Sequence, residues 1–403
     1  MPTTTYRAAD FVSAGIKVGA EVVVGSDQRQ TLEDAVPGAT LTLDFQDTAA
    51  STRRVTEFAE RHPLVCVVGV EDETTELAAE ISRALGLPHN SVESVRAARD
   101  KHRTRETLRR AGIPVPRFWK LPVGQDPVSI ARELEFPCVI KPLFLSASRG
   151  VIRCDDGREL ARAWERLWKI LEEPEVRRKG GEEADWILVE TYIPGEEVAV
   201  EGILIRGELK ILALFDKPDP LHGPFFEETL YVTPSRLPDA TQQAIRLTTA
   251  LAAAALGLKE GPIHAELRVN ERGAWPLEVA ARSIGGLCSR VLRFGAGISL
   301  EELILRHALG MEVAFLERES KAAGVMMIPI PRAGHLRRFA GTEAARSVPG
   351  VEEVVQSVAK GTEVVPLPEG SRYLGFIFAR GSDPQSVESA LREAHRRLEI
   401  VID

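Results

Sequence analysis

The stretch that most constrains this chain is 261–286, GPIHAELRVNERGAWPLEVAARSIGG, which sets two carboxylates, Glu266 and Glu278, on two consecutive apolar-rich runs. Residues 264–269 (HAELRV) and 274–281 (AWPLEVAA) read as strands, and NERG between them is turn chemistry, with Asn and Gly supplying the unusual backbone angles. The pair reads as a metal-holding hairpin. Oxygen ligands converging without cysteine suit a hard ion such as Mg2+, which keeps several waters and takes further ligands from substrate phosphates. That implies nucleotide chemistry. A plain turn at NERG would pair Val269 with Ala274, and in that register Glu266 and Glu278 do not share a face. One extra residue is required, and Pro276, which cannot donate to a ladder, predicts a bulge. Two solvated glutamates on an exposed hairpin are the alternative for an isolated pair, so the rest of the chain decides.

A chain of 403 residues is long enough for two or three domains with real cores. Its net charge of -8 argues against a nucleic-acid partner. No apolar run reaches the length of a membrane span, and the opening MPTTTYRAADF lacks a basic region followed by an apolar stretch. Neither anchor nor secretion signal is expected, which implies a cytoplasmic protein. Cys66, Cys138, Cys154 and Cys288 form no CxxC pair and read as free thiols.

Residues 1–95 alternate apolar runs with helical stretches: helices at 8–17, 48–61 and 73–85, strands at 21–25, 40–43 and 64–69. This alternation predicts a small parallel sheet covered by helices. The chain opens at the entrance to a helix, so a leading strand is missing; either the sheet is one strand short or the start lies upstream. Residues 95–111, VRAARDKHRTRETLRRA, read as one basic helix with Lys101 in its middle, stopped by Gly112. FPCVIKP (136–142) is a short buried strand that delivers Lys141 at its end, where a charge is costly unless it meets an anion. The small-residue loop SASRG (146–150) follows, of a kind whose backbone amides close over phosphates.

An amphipathic helix at 156–171 carries Trp164 and Trp168 as core residues, and EEPEVRRKGGEEAD reads as a surface loop. In WILVETYIPGEEVAVEG (186–202), Glu190 and Glu197 flank a tight turn at Pro194 and Gly195 and could hold the two polar ends of a nucleoside. Beyond a hairpin at 205–210, the Pro-rich segment 216–236 reads as a long loop with a short strand, whose Lys217, His222, Glu227 and Glu228 either read a substrate or form an ordered lid of ion pairs. A helix at 239–256 leads back to the hairpin, where His264 shares a strand face with Glu266.

The ordered set of Lys101, Lys141 with its small-residue loop, Glu190 and Glu197 around IPG, and Glu266 and Glu278 followed by AARSIGG resembles the ATP-grasp superfamily. It looks most like the carboxylate-amine ligases of the L-amino-acid ligase type, and the likeness covers essentially the whole chain. The resemblance implies a mixed α/β and α+β ATP-grasp fold. It has an amino-terminal parallel α/β domain (1–95), a central antiparallel-sheet nucleotide-binding domain (96–320) and a carboxy-terminal α+β domain (321–403) packing beside the ATP site. ATP would meet Lys101, Lys141, Ser146, Ser148 and Gly150 at its phosphates, Glu190 with the backbone at Tyr192 and Ile193 at its base, and Glu197 at its ribose. Mg2+ or Mn2+ would sit on Glu266 and Glu278. Many members carry an asparagine two residues after the second glutamate; here that position is Ala280, which leaves the third ligand unassigned.

Arg282 offers a two-pronged guanidinium, and Ser283, Gly285 and Gly286 let backbone approach an anion closely; a plain salt bridge is the alternative for Arg282. Lys141 and Arg282 are the expected catalytic pair. Arg282, Ser283, Gly285, Gly286, Lys217, Glu228 and His264 are the expected substrate contacts. The expected reaction joins a small-molecule carboxylate, an amino acid among the choices, to an amine through an acyl phosphate, releasing ADP and phosphate. The alternatives are a carboxylating or nucleotide-biosynthetic ATP-grasp enzyme and a non-catalytic ATP-binding protein. A dinucleotide-dependent oxidoreductase would need a GxGxxG turn, and none is present in residues 1–95. No membrane partner is expected, and the sequence leaves a homodimer open.

Overall fold

The structure, a computed structural model, describes residues 1–2, 5–28, 40–313 and 316–403. The carboxylate hairpin forms one edge of an eight-stranded sheet. In spatial order its strands are Gly273–Ala280, Gly261–Asn270, Glu196–Ile205, Glu208–Asp216, Leu230–Thr233, Ala322–Ile328, Gly375–Gly381 and Val351–Gln356, with neighbours antiparallel. Glu266 lies opposite Glu278 and Val269 opposite Ala274, while Leu267 pairs with Pro276. Leu277 is therefore the extra residue, and the bulge stands beside Pro276 as parity requires.

Helix Asp239–Ala255 covers one face of this sheet through Ile245, Ala252 and Ala253; Phe215, Phe294 and Phe376 fill the core on the other. The carboxy-terminal strands do not merely pack beside the site. They extend the same sheet from the short strand Leu230–Thr233, whose open edge would otherwise leave backbone donors and acceptors unpaired. The last residues add a small sheet of Gly334–Ala340, Glu363–Val364 and Glu399–Ile402.

A second, four-stranded sheet has the order Phe118–Pro122, Trp186–Thr191, Cys138–Pro142 and Ile152–Cys154. Helix Gly157–Glu172, capped by Asp156, packs on it. Trp164 is buried and its indole N–H donates to the Val123 carbonyl at 2.9 Å, but Trp168 is 45% exposed and so is not the core residue its spacing implied. The segment read as a surface loop is helix Pro174–Gly180 followed by the 3-10 turn Gly181–Asp185. Proline at the first helical position loses no hydrogen bond there.

The basic segment is not one helix. Val92–Arg99 and Lys101–Arg110 are separated at Asp100, whose side chain accepts from the backbone N–H groups of His102 and Arg103 and starts a second helix. Lys101 therefore stands at a helix start, not mid-helix. In the amino-terminal part, helices Ala8–Val18, Thr48–Ala59 and Asp72–Leu85 surround a parallel pair, Val24–Ser26 with Thr40–Thr42. Residues 64–69, expected as a strand, join no ladder among the described residues. Their side chains still pack, with Leu64 and Val67 against Leu43, Val55, Leu77 and Ile81. No helix among the described residues is long and apolar enough to cross a membrane.

Candidate active site

A cleft runs between the two large sheets, with the amino-terminal part closing one end. It is lined by Lys101, Lys141, Ser146, Ser148, Glu190, Tyr192 and Ile193 on one side and by Glu197, Glu228, His264, Glu266, Glu278, Arg282, Gly285 and Gly286 on the other. Glu71, Asp72 and Glu73 line the closed end, and Met327, Ser371 and Tyr373 reach in from the carboxy-terminal strands and loop. Most residues singled out by sequence thus meet in one place. Three sit behind the wall: Gly150, whose N–H donates to the Pro368 carbonyl at 2.9 Å; Ser283, whose hydroxyl accepts from Arg7 at 2.6 Å; and Lys217.

Lys141 and Glu190 form a buried ion pair at 2.5 Å. Its third member, Arg105, escaped the sequence reading because it belongs to a helix that looks solvated. Arg105 is fully buried and donates through Nε to Glu190 at 2.6 Å and through Nη2 to the carbonyl of Leu277 at 2.8 Å. The bulge frees that carbonyl from the ladder, and Arg105 satisfies it. Burial pushes the Glu190 carboxyl up, but Arg105 and Lys141 outweigh burial and hold it down at about 2. Burial, reinforced by Arg105, pushes the Lys141 ammonium down despite its partner.

Glu190 is depressed in the folded state, so its contribution is complete above the ordinary value of 4.5 and lost as pH falls through about 2. Wild type is therefore expected to lose about 3 kcal/mol on this group's account between pH 5 and pH 2. Glu190→Gln, less stable at pH 5, should lack that increment. Denaturant titrations across the range check this, and parallel pH curves for the two proteins would refute it.

The turn at 194–195 is fixed against the hairpin. Gly195 has φ 127, and a Cβ there would meet the Val269 carbonyl oxygen at 2.0 Å, so only glycine allows this approach. Arg268, unforeseen in sequence, is 3% exposed; it bonds Glu197 at 3.0 Å and the Ile193 carbonyl at 2.9 Å, and lies 4.9 Å from the Tyr192 ring centre. The Tyr192 N–H goes to the Pro137 carbonyl at 2.9 Å. The loop at 146–150 has Ala147 and Ser148 at φ 53 and 55, and Arg149 ties it to the Glu369 carbonyl at 2.7 Å. Lys101 Nζ donates to the Leu145 carbonyl at 2.6 Å, which brings it under the same loop.

Carboxylate oxygens of Glu197, Glu228 and Glu266 lie within 4.8 Å of one another. Lys217 Nζ offsets them, at 2.9 Å from Glu197, at 3.1 Å from Glu266 and in contact with Glu228. Against burial, the three carboxylates hold Lys217 well above its ordinary range. Burial and neighbouring Glu266 push Glu228 up to about 7. Glu278 has long ion contacts, 3.8 Å to Lys101 and 3.9 Å to Arg282. The all-oxygen set of Glu197, Glu228 and Glu266, with Glu278 opposite Glu266 in the hairpin, fits a hard divalent cation.

His264 donates through Nδ1 to Glu201, which is fully buried, at 3.2 Å, and stands 3.5 Å from Glu266. Burial lowers His264, but its bonds to Glu201 and Glu266 outweigh that and lift it to about 9. Glu201 also accepts the Ile284 N–H, so one buried carboxylate props both the histidine and the 282–286 loop. His222 meets the Tyr192 hydroxyl at 3.4 Å; neither it nor Glu227 lines the cleft. Arg282 is not a surface salt-bridge partner: it is 7% exposed and pairs with Asp72 of the amino-terminal part at 2.7 Å.

Models of three families match the chain in succession: an ATP-grasp N-terminal domain at 12–89, an ATP-grasp domain at 134–291 and an L-amino acid ligase C-terminal domain 2 at 326–403. An uncharacterized protein of Sinorhizobium fredii is 27% identical over 321 residues, which are 78% of this chain and 63% of that protein. An alanine–anticapsin ligase of Bacillus subtilis is 27% identical over 241 residues, 56% of this chain and 50% of the relative. This chain thus spans roughly half to two-thirds of those curated relatives. Among solved structures, an L-amino acid ligase from Bacillus licheniformis superposes with a TM-score of 0.83 at 26% identity, covering 98% of this chain and 96% of that one.

Proposed function

Because this chain is an ATP-grasp protein of the L-amino-acid-ligase type, we propose that it joins a carboxylate to an amine at the expense of ATP, with an amino acid as at least one substrate. The observation that carries this reading is the placement of Arg282. Its buried guanidinium stands 3.9 Å from Glu278, which is register-paired with Glu266, in the cleft that Lys101 and Lys141 also line. A carboxylate and a γ-phosphate brought together there would both lie within reach of cations.

The reaction runs in two steps. A carboxylate oxygen attacks the γ-phosphorus, the bond to the β–γ bridging oxygen breaks, and ADP leaves with that electron pair. The amine nitrogen then attacks the acyl carbon; the bond from that carbon to the phosphoryl oxygen breaks, phosphate leaves, and the amine's proton passes to solvent. Lys141 and Arg282 offset the charge spreading over the transferring group, so the chain contributes mainly position and electrostatics. A divalent cation, Mg2+ or Mn2+, held by Glu266 and Glu278 would supply further charge compensation at the phosphates.

In this reading Ser146, Ser148 and Lys101 meet the phosphates, and Gly150 keeps their loop in place. Tyr192 N–H and the Ile193 carbonyl are already engaged, so the base is read by the remaining edge of that segment. Glu190 acts through Lys141 and Arg105, and Glu197 shares its carboxylate between Lys217, Arg268 and a ribose hydroxyl. Glu228 and His264 face the amine, with Lys217 acting through the carboxylates it holds; Gly285 and Gly286 give the acyl group backbone to approach. A cytoplasmic setting, where ATP and free amino acids are both at hand, belongs to the same proposal.

The test is ADP and phosphate release from MgATP across amino acids, singly and in pairs, with mass spectrometry of each positive. A product lighter by one water than its two parents supports the ligase. ADP release that depends on bicarbonate alone would replace it with carboxyphosphate chemistry, and silence throughout would count against turnover. Arg282→Ala is expected to cost about 10²-fold in kcat/KM for the carboxylate while ATP affinity holds. Equal losses in both would move Arg282 out of the acyl site.

A further inference from the structure

The arginine on which the proposed reaction most depends is held from a distant part of the chain. Asp72 opens the helix Asp72–Leu85, and its Oδ2 lies 2.7 Å from Nη2 of Arg282. The other bond of that guanidinium is Nη1 to the Ser283 carbonyl at 3.1 Å, and its Nε is buried without a partner. A guanidinium is a rigid planar fork, so two anchored nitrogens fix the plane in which the others lie. Of the two anchors, only Asp72 is charged.

Asp72 is itself well fixed. The preceding Glu71 and Thr74 form a reciprocal capping box, and Thr5 Oγ1 donates to Glu71 at 2.5 Å. A Cβ on Gly69 would meet the Thr75 Cα at 2.8 Å, so the approach to this helix is packed against its first turn. The same part of the chain supplies Arg7, fully buried, which donates to the Ser283 hydroxyl at 2.6 Å. Two side chains from the amino-terminal part thus hold consecutive residues of the loop carrying Arg282.

We propose that Asp72 is a positioning residue for acyl transfer, keeping the Arg282 guanidinium turned toward the carboxylate and away from Glu278. This rests on the ligase reading of Arg282. Glu278 Oε1 is only 3.9 Å from the same Nη2. Asp72→Asn removes the competing charge, and Arg282 can then close onto Glu278, which takes both groups from their tasks. The amino-terminal part is on this view required for the chemistry.

The test uses the full chain with a reacting pair of substrates. Asp72→Asn should lower kcat/KM for the carboxylate about 10²-fold, with ATP affinity unchanged and the protein still folded, though less stable because a buried guanidinium loses its charged partner. Asp72→Glu, which keeps the charge, should recover most of the loss. In an Arg282→Lys background, Asp72→Asn should cost no more than about twofold further, because the planar fork it orients is gone. Wild-type kinetics in Asp72→Asn would overturn the proposal, as would a rise confined to the amine's KM or full additivity with Arg282→Lys. A wild type that consumes no ATP with any carboxylate would overturn the ligase reading, and the role of Asp72 with it.

Discussion

Glu278→Ala is expected to reduce ADP formation by at least about 10³-fold while leaving the protein as stable as wild type. The two halves of this expectation come from different features. Glu278 is a quarter exposed at its side chain, and its ion contacts at 3.8 and 3.9 Å are too long to be hydrogen bonds. Loss of such contacts changes stability by about 0.5 kcal/mol at most. In function it is a register partner of Glu266 and, in the proposed chemistry, one of two carboxylates facing the nucleotide phosphates. Coupled ADP release and thermal unfolding on the same preparation check both halves. Undiminished substrate-dependent ADP formation would remove Glu278 from the metal assignment.

Lys217→Met is expected to act on folding first. The Lys217 side chain is 2% exposed and its ammonium offsets Glu197, Glu228 and Glu266 together. A methionine fills the space but leaves Glu228 without a cation and Glu266 with His264 alone, while Glu197 keeps Arg268. Breaking a buried ion network from one side costs about 3–5 kcal/mol. The folded-state value of Lys217 is raised, so its contribution is complete below the ordinary value of 10.5 and is lost only as pH rises through the higher one. Urea unfolding at pH 7 therefore reads it in full. Millimolar Mg2+ should restore more stability to the variant than it adds to wild type, because a divalent cation meets the freed carboxylates. Unchanged unfolding would mean that the three glutamates do not need the lysine.

The hairpin was legible because it is local. Parity between Glu266 and Glu278 demands one extra residue, and Pro276 marks where a ladder can break. Lys141, Glu190 and Glu197 were legible for a related reason: each is a charge at the end or start of a strand whose alternation shows in the sequence. What pairs with them was not. Arg105 stands 85 residues from Glu190, and nothing in KHRTRETLRR separates a buried arginine from a solvated one. Asp72 and Arg282 are 210 residues apart; Arg282 stood out beside its serine and paired glycines, but Asp72 alone reads as an ordinary surface charge.

The break at Asp100 did carry a local signal, an aspartate before a helical run, but the continuous basic character on both sides concealed it. Val351–Gln356 and Gly375–Gly381 fall within the stretch expected as a carboxy-terminal α+β domain. Their sheet was not legible, since a strand's sequence reports its two faces and not which edge it joins. The exposure of Trp168 has the same origin: helical spacing from Trp164 gives a shared side of the helix, not how far the sheet beneath it extends.

Isotope transfer tests the acyl phosphate most directly. With any reacting pair, the carboxylate substrate is prepared with both oxygens as 18O and the reaction is run in unlabelled water. The ligase reaction requires that one 18O appear in each phosphate released and that the other stay in the amide product, in step with ADP formation. Product formed alongside unlabelled phosphate would contradict attack of the carboxylate on the γ-phosphorus, and with it the roles given to Lys141 and Arg282.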